Sequence, residues 1–440
     1  MSTQIQTSRS AELFARALKS LPGGVSRNAV LRDPHPLYVD HGYGCRLVDV
    51  DGQTRIDCAN NMAALVHGHA DPDMVRAVTA QLTKGTAFSM GTEAEIIYAE
   101  HLLSRNDSFE QLRFVNSGTE ALMVAIKAAR AFTGRPMIAK AEGAYHGAYD
   151  YVEVSQAPGP KTWGAPEQPQ RVPLVAGTPA SAINDVVVFP FNDTERAIAL
   201  LDQHADRLSC IVFDLMPHRV GLNPADPVFV EAIRDWATAH DVLFVLDEVI
   251  TFRSSFGGLK DSYNIRADLT ALGKMIGGGF PIGAVAGRAD VMDVLNPGSK
   301  RYLFPHSGTF SANPICMVAG LATMQKFDRP AIDRLNALAR RAITGIQDSI
   351  IATGIAASVT GAGSMLRVHL KPSAPRNYRE AYLSPEENQR LKLLLEHMAD
   401  EGFLLINSGS VALSTPMTEA DIDALVAAFR RCFMKLVSLA

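Results

Sequence analysis

Lys274 and Asp247 are the residues of this chain whose type and setting could together do chemistry. Lys274 follows a mostly apolar strand pattern, 267–273, and leads into Gly277-Gly-Gly279. Asp247 closes a second apolar run, 242–246. A lysine amine can form a Schiff base with an aldehyde, and a carboxylate on a neighbouring strand can pair with a protonated ring nitrogen. Pyridoxal phosphate (PLP) needs both. An aspartate at the close of an apolar run is costly to bury without a cation, and a pyridinium is such a cation. A buried lysine shifts toward its nucleophilic neutral form. The plainer alternatives are a loop lysine reaching solvent and an acid capping a strand.

Three further motifs bear on the same chemistry. In Phe114-Val-Asn116-Ser117-Gly118-Thr119-Glu120 a strand runs into a helix through small residues. The first-turn N–H groups of Gly118 and Thr119 and the hydroxyls of Ser117 and Thr119 could bind a phosphate, or Ser117 could simply cap the helix. Gly143-Ala-Tyr145-His146-Gly147 offers an aromatic between glycines, either a ring to lie on a flat cofactor or an apolar plug in a turn. His306-Ser307-Gly308-Thr309-Phe310 is a loop of small and polar residues whose hydroxyls could add to phosphate binding. Two glycine-rich lookalikes fail. Lys274 is followed by Met275 where a nucleotide-binding P-loop has Ser or Thr, and Gly361-Ala-Gly363 lacks the third glycine of a dinucleotide fingerprint.

These residues need elements to hold them. Apolar runs at 112–115, 137–140, 186–190, 210–215, 243–247, 269–272 and 282–286 alternate with helical patterns such as 120–132 and 229–240. That alternation predicts an α/β fold with a mainly parallel sheet of seven strands covered on both faces, with ligands outside the carboxyl ends of the strands. The stretch 155–184 is rich in Pro, Gly, Ala and Gln and reads equally as a lid or as a surface insertion. After Asn313 a long helical pattern continues through Ile346, then come short strands near 364–369, a helix at 385–400 and a final helix opened by Thr418-Glu-Ala-Asp421. The expected division is an N-terminal segment, 1–50, packing with the small domain, a large domain, 51–315, and a smaller α+β domain, 316–440.

Composition excludes several classes. The 440 residues carry 42 basic and 46 acidic side chains, net −4, without a basic block, so neither nucleic acid nor an anionic membrane is an expected partner. Cys45, Cys58, Cys210, Cys316 and Cys432 lie without CxxC or Cys/His spacing, which points to reduced thiols, no metal site and a cytoplasmic protein. The first ten residues are polar and lack the apolar core of a secretory signal, and no apolar run reaches the roughly 20 residues of a membrane span.

In this order and combination the motifs resemble the class III (subgroup II) aminotransferases of PLP fold type I. The branch is that of the glutamate-1-semialdehyde 2,1-aminomutases and the bacterial β-amino-acid aminotransferases. The resemblance runs from about Leu21 to the C-terminus. It implies that Lys274 holds PLP as a Schiff base and shuttles the proton between substrate carbon and cofactor. It further implies that Ser117, Gly118 and Thr119 bind the phosphate, that Tyr145 stacks on the ring with His146 beside it, and that Asp247 binds the ring nitrogen with Val249 on the opposite face. Thr309 would reach the phosphate of the neighbouring subunit, so a homodimer with shared active sites is implied. Arg27 matches the arginine that grips a substrate carboxylate, a task suited to a guanidinium.

Four positions depart from the pattern. Asp214-Leu215 stands where the family has a Glu-Pro pair, and Met62 where the aminomutases carry an aromatic. Thr251-Phe252-Arg253 lacks the aminomutase glycine, and Ser408 stands near the place of a C-terminal-lobe arginine of the β-phenylalanine enzymes. The expected activity is a ping-pong transfer of an amino group from an amino acid, a β- or unusual α-amino acid, to a keto acid. The alternatives are the aminomutase and a PLP lyase or racemase on the same fold.

Overall fold

The computed structural model describes residues 8–300 and 302–438. The reading of the extreme N-terminus as polar and unlike a secretory signal falls on residues 1–7 and lies outside the described residues. The large sheet has seven strands in the order Gln111–Val115, Gly283–Gly287, Leu269–Gly273, Leu243–Asp247, Leu208–Phe213, Met137–Ala141, Val186–Phe189. Gly283–Gly287 runs antiparallel to both neighbours, and the other pairings are parallel. Every residue of Met137–Ala141, Leu243–Asp247 and Leu269–Gly273 is buried, as expected for strands covered on both faces. This is the fold expected from the alternating pattern, with strand ends shifted by one or two residues.

Helix Gly118–Thr133 covers one face. Its alanines and leucine pack down (Ala121, Leu122, Ala125, Ala128 and Ala129 are buried), Ser117 caps its start, and Gly134 ends it at φ 70°. Glycine supplies that left-handed stop without a Cβ penalty. A three-stranded sheet, Ser358–Ala362, Met365–His369 and Ser410–Ala412, packs against Arg329–Thr353 in the C-terminal third, and that helix packs in turn on Glu419–Ser438. The N-terminal strands Val39–Tyr43, Arg46–Asp49 and Thr54–Asp57 form a sheet that takes Phe403–Leu404 as a parallel edge. That pairing draws the N-terminal segment through residue 57 toward the C-terminal third.

One expected element is corrected. The helical pattern that follows Asn313 is two helices, Pro314–Lys326 and Arg329–Thr353. The second starts afresh because the Asp328 side chain accepts the Ala331 N–H and Pro330 cannot donate to a preceding turn. Among the described residues no helix is long and apolar enough to cross a membrane.

Candidate active site

The carboxyl ends of five strands meet at one edge of the large sheet, and each leads directly into a residue singled out by its type. Ser117, Gly118, Thr119, Tyr145, His146, Asp214, Asp247, Val249 and Lys274 line a single cavity. Ser117 caps its helix by accepting the Glu120 N–H at 3.1 Å, and Glu120 accepts in turn from Asn116 N and Nδ2 at 2.7 and 3.1 Å. This lock points the first-turn N–H groups at the cavity. Glycine is required there, since a Cβ on Gly118 would come within 2.8 Å of Val249. Gly147, at φ +93°, lets the 143–147 turn pass Thr119, whose Oγ1 would sit 2.5 Å from an added Cβ.

The imidazole of His146 donates through Nδ1 to Asp247 at 2.8 Å, with both side chains buried. Burial lowers the His146 pKa despite that carboxylate, so the ring is neutral and its single N–H is spent on Asp247. Asp247 also accepts from Val249 N at 3.1 Å, which leaves its orientation fixed from two sides. The His146 Nε2 is buried without a partner among the described residues. Lys274 stands just past its strand at φ 50°, a left-handed value that a non-glycine residue adopts at a cost of about 1–2 kcal/mol. Burial lowers the pKa of its amine, against the raising effect of Asp247 and Asp214. A lowered amine pKa increases the share of the nucleophilic neutral form.

Two cavity-side groups had weaker signals in the sequence. Among the described residues Asp214 accepts only the Met216 N–H, at 2.8 Å, and burial and the facing Asp247 raise its pKa well above the carboxylate range. His218 lies edge-on to Tyr145, ring centres 5.6 Å apart, and burial followed by Lys274 pushes its pKa down to about 3. Asp214 is legible as an acid at a strand end. His218 belongs to no motif, and only its place three residues after the 210–215 run could have pointed to it.

Two expected site residues lie elsewhere. Thr309 is outside this cavity and lines a small hollow with Phe88, Met90, Thr92 and Asn313. Arg27 is exposed and donates to Asn61 Oδ1 at 2.6 Å. Asn61 belongs to a turn in which Asn60, Asn61, Met62 and Ala63 all have positive φ, between 46° and 67°. Asn60 secures the turn by donating to Asp57 O and Ala412 O at 2.9 and 2.7 Å. The stretch 155–184 is tied down by Tyr378 to Pro158 O at 2.9 Å, Arg379 to Gly164 O at 2.9 Å and Arg219 to Gln156 O at 3.1 Å. Arg253, in the segment that lacks the glycine, is wholly buried and donates to Ser364 Oγ, Ala63 O and Leu413 O.

The residues present fit PLP. They offer a glycine-dependent helix N-terminus for the phosphate, a fixed carboxylate for the ring nitrogen, Tyr145 and Val249 to bracket a flat ring, and an amine of depressed pKa for the aldehyde. The family profile described as Aminotransferase class-III matches residues 28–433. An omega-transaminase from Sphaerobacter thermophilus has the same fold with a TM-score of 0.94 and 42% identity, covering 98% of this chain and 99% of that one. A transaminase solved with PLP bound gives a TM-score of 0.90 at 38% identity, with 98% of each chain covered. Glutamate-1-semialdehyde 2,1-aminomutase of Methanothermobacter thermautotrophicus is 37% identical over 374 residues, 85% of this chain and 86% of that protein. Further relatives at 33–38% identity carry the aminomutase name too. The chain therefore belongs to the class-III aminotransferases, a family of PLP-binding enzymes of fold type I.

Proposed function

We propose that the chain is a PLP-dependent aminotransferase that moves an amino group from an amino acid to a keto acid by a ping-pong mechanism. The observation that carries it is the convergence on one cavity of the Lys274 amine, the His146–Asp247 pair and the capped helix N-terminus. When bound, PLP supplies the aldehyde carbon that takes up the amino group and the ring that withdraws electrons from the donor. The chain's residues do the rest. Ser117, Gly118 and Thr119 hold the phosphate by N–H groups and hydroxyls. Asp247, kept in place by His146, holds the proton of the ring nitrogen. Tyr145 and Val249 keep the ring flat between them. Lys274 anchors the aldehyde and, once released by the donor, moves the proton at the substrate carbon. Thr309 serves the site of a second copy, which makes the homodimer the working unit. Phe88, Met90 and Phe310 around it are 51, 82 and 61% exposed, an apolar surface of the kind that copies cover.

The structural neighbours of 38–42% identity favour transfer between two substrates, as does Met62 in place of an aromatic. The names of the curated relatives favour the aminomutase instead, which needs no second substrate. An absorbance titration separates them. Donors of the α-, β- and ω-amino acid classes and glutamate-1-semialdehyde are added singly to the holoenzyme without acceptor. Bleaching of the cofactor band with one keto product released per site supports the aminotransferase. Reaction of the semialdehyde alone, giving 5-aminolevulinate, sinks it.

A further inference from the structure

We infer that Arg367 receives a carboxylate of the substrate, on the wall of the site built by strands Met365–His369 and Ser410–Ala412. The inference rests on the reading of the Lys274 cavity as the seat of amino transfer.

Among the described residues three arginines are more than nine-tenths buried: Arg105, Arg253 and Arg367, at 3, 0 and 6% exposure. Arg105 also has one buried nitrogen, Nη2, without a hydrogen-bond partner among the described residues, but it donates to three carbonyls, those of Phe256, Met324 and Phe327, and lies over the Phe252 and Phe256 rings. Arg253 has its three acceptors from the flanking segments. Arg367 has one, the His218 carbonyl at 2.9 Å, and its Nε is buried without a partner among the described residues. Burial pushes Arg367 down to about 10. A guanidinium carries five donors in a planar fork, and leaving it buried without an anion is costly. A carboxylate completes such a fork with two parallel hydrogen bonds.

The position suits a substrate. Arg367 holds the backbone of His218, whose ring meets Tyr145, and Tyr145 lines the cavity with Lys274. Arg367 also pairs in register with Ser410, whose hydroxyl meets that of Ser408 at 2.8 Å. Along the same wall Ala412 O accepts from Asn60, and Asn407 donates to Ala29 O at 2.9 Å, next to the Arg27 arm. Arg27 is exposed and bonded to Asn61, whereas Arg367 is buried and underpaired among the described residues. This wall selects amino acids over simple amines.

The test uses the holoenzyme and its Arg367→Gln, Arg367→Lys and Arg27→Gln variants, each checked by melting and cofactor content. Benzoate and propionate, which have no amino group, are titrated calorimetrically, so binding is read without turnover. Arg367→Gln should weaken them by about 30-fold or more, the loss of a paired charged hydrogen bond. Arg367→Lys, which keeps charge but not the fork, should weaken them by about 5–10-fold. The ratio of kcat/KM for an amino acid donor to that for its decarboxylated amine should fall in parallel. Unchanged carboxylate affinity in Arg367→Gln, or a loss confined to Arg27→Gln, overturns the assignment. If Arg367→Gln does not fold, Arg367→Lys decides alone, with wild-type affinity as the overturning result. Absence of amino transfer with every donor would remove the proposed function while leaving the carboxylate titration interpretable.

Discussion

Two buried carboxylates face Lys274, and their surroundings give them different jobs. Asp247 has the His146 N–H and the Val249 N–H to hold negative charge. Asp214 has one backbone N–H and a second acid opposite, and burial, then Asp247, raise its pKa well above the usual carboxylate value. Like charges in one desolvated site do not both ionise. Asp214→Asn, neutral and of the same shape, should therefore lower kcat/KM by less than about 10-fold, while Asp247→Asn, which removes the charge meant for the ring nitrogen, should cost about 10³-fold. A loss in Asp214→Asn as deep as that in Asp247→Asn would show that Asp214 works as an anion. Lys274→Ala should abolish turnover yet retain cofactor. Borohydride should then fix cofactor to wild-type protein at Lys274 and fail to fix it to the variant. Among the described residues two other amines are buried and already committed, Lys140 to the Ala141 and Val154 carbonyls at 3.1 and 3.0 Å and Lys260 to the Ser108 hydroxyl at 2.7 Å. Covalent label on Lys140 would mean the wrong lysine has been chosen.

The elements that carry these residues store some strain and some unfavourable burial, and both are measurable. The Asn60–Ala63 turn puts Met62 at φ 59°, where a β-branched side chain clashes with its own backbone. Met62→Ile should lower stability by about 1–2 kcal/mol more than Met62→Leu, read as the difference in melting temperature. On the Met137–Ala141 strand, burial pushes Lys140 down to about 7 from 10.5. Between about 7 and 10.5 the unfolded chain binds a proton that the folded chain refuses, so stability contributed by this site rises with pH across that range. The slope is about 1.4 kcal/mol per pH unit at most. Relative to Lys140→Met, the wild-type melting temperature should climb across the mildly alkaline range between those two values, and parallel curves would mean Lys140 stays charged. The strands were legible because fully covered strands are continuous apolar runs, and Ser117, Asp247 and Lys274 were legible because each sits where such a run ends. The break at Asp328 had a signal, an acid two residues before Pro330. The left-handed turn had only the hint of two asparagines, because its conformation depends on Asp57 and on Ala412, far away in the chain. Arg367 was invisible as a site residue because its significance is a missing partner, which only packing reveals.

At the scale of the whole molecule, the placement of Thr309 decides how many chains make one site. It lies outside the Lys274 cavity of its own chain, in a hollow bordered by Phe88 and Met90, which expose half or more of their surface. If Thr309 reaches the phosphate site of a second copy, a hybrid of one Lys274→Ala chain and one Thr309→Ala chain contains one site with both native residues and one with neither. If Thr309 serves its own chain, the same hybrid contains no site with both. Differently tagged variants can be mixed, the hybrid isolated, and PLP titrated by absorbance. A hydroxyl on a phosphate accounts for about 1.5–3 kcal/mol, so the Thr309→Ala homodimer should bind cofactor roughly 10–100-fold more weakly than wild type. Sharing predicts that one site per hybrid regains wild-type affinity and half of the wild-type turnover per dimer. Service within one chain predicts that the hybrid's only lysine-bearing site binds as weakly as the Thr309→Ala homodimer. The second result would detach the cofactor site from the dimer and leave the apolar surface around Met90 without the role assigned to it.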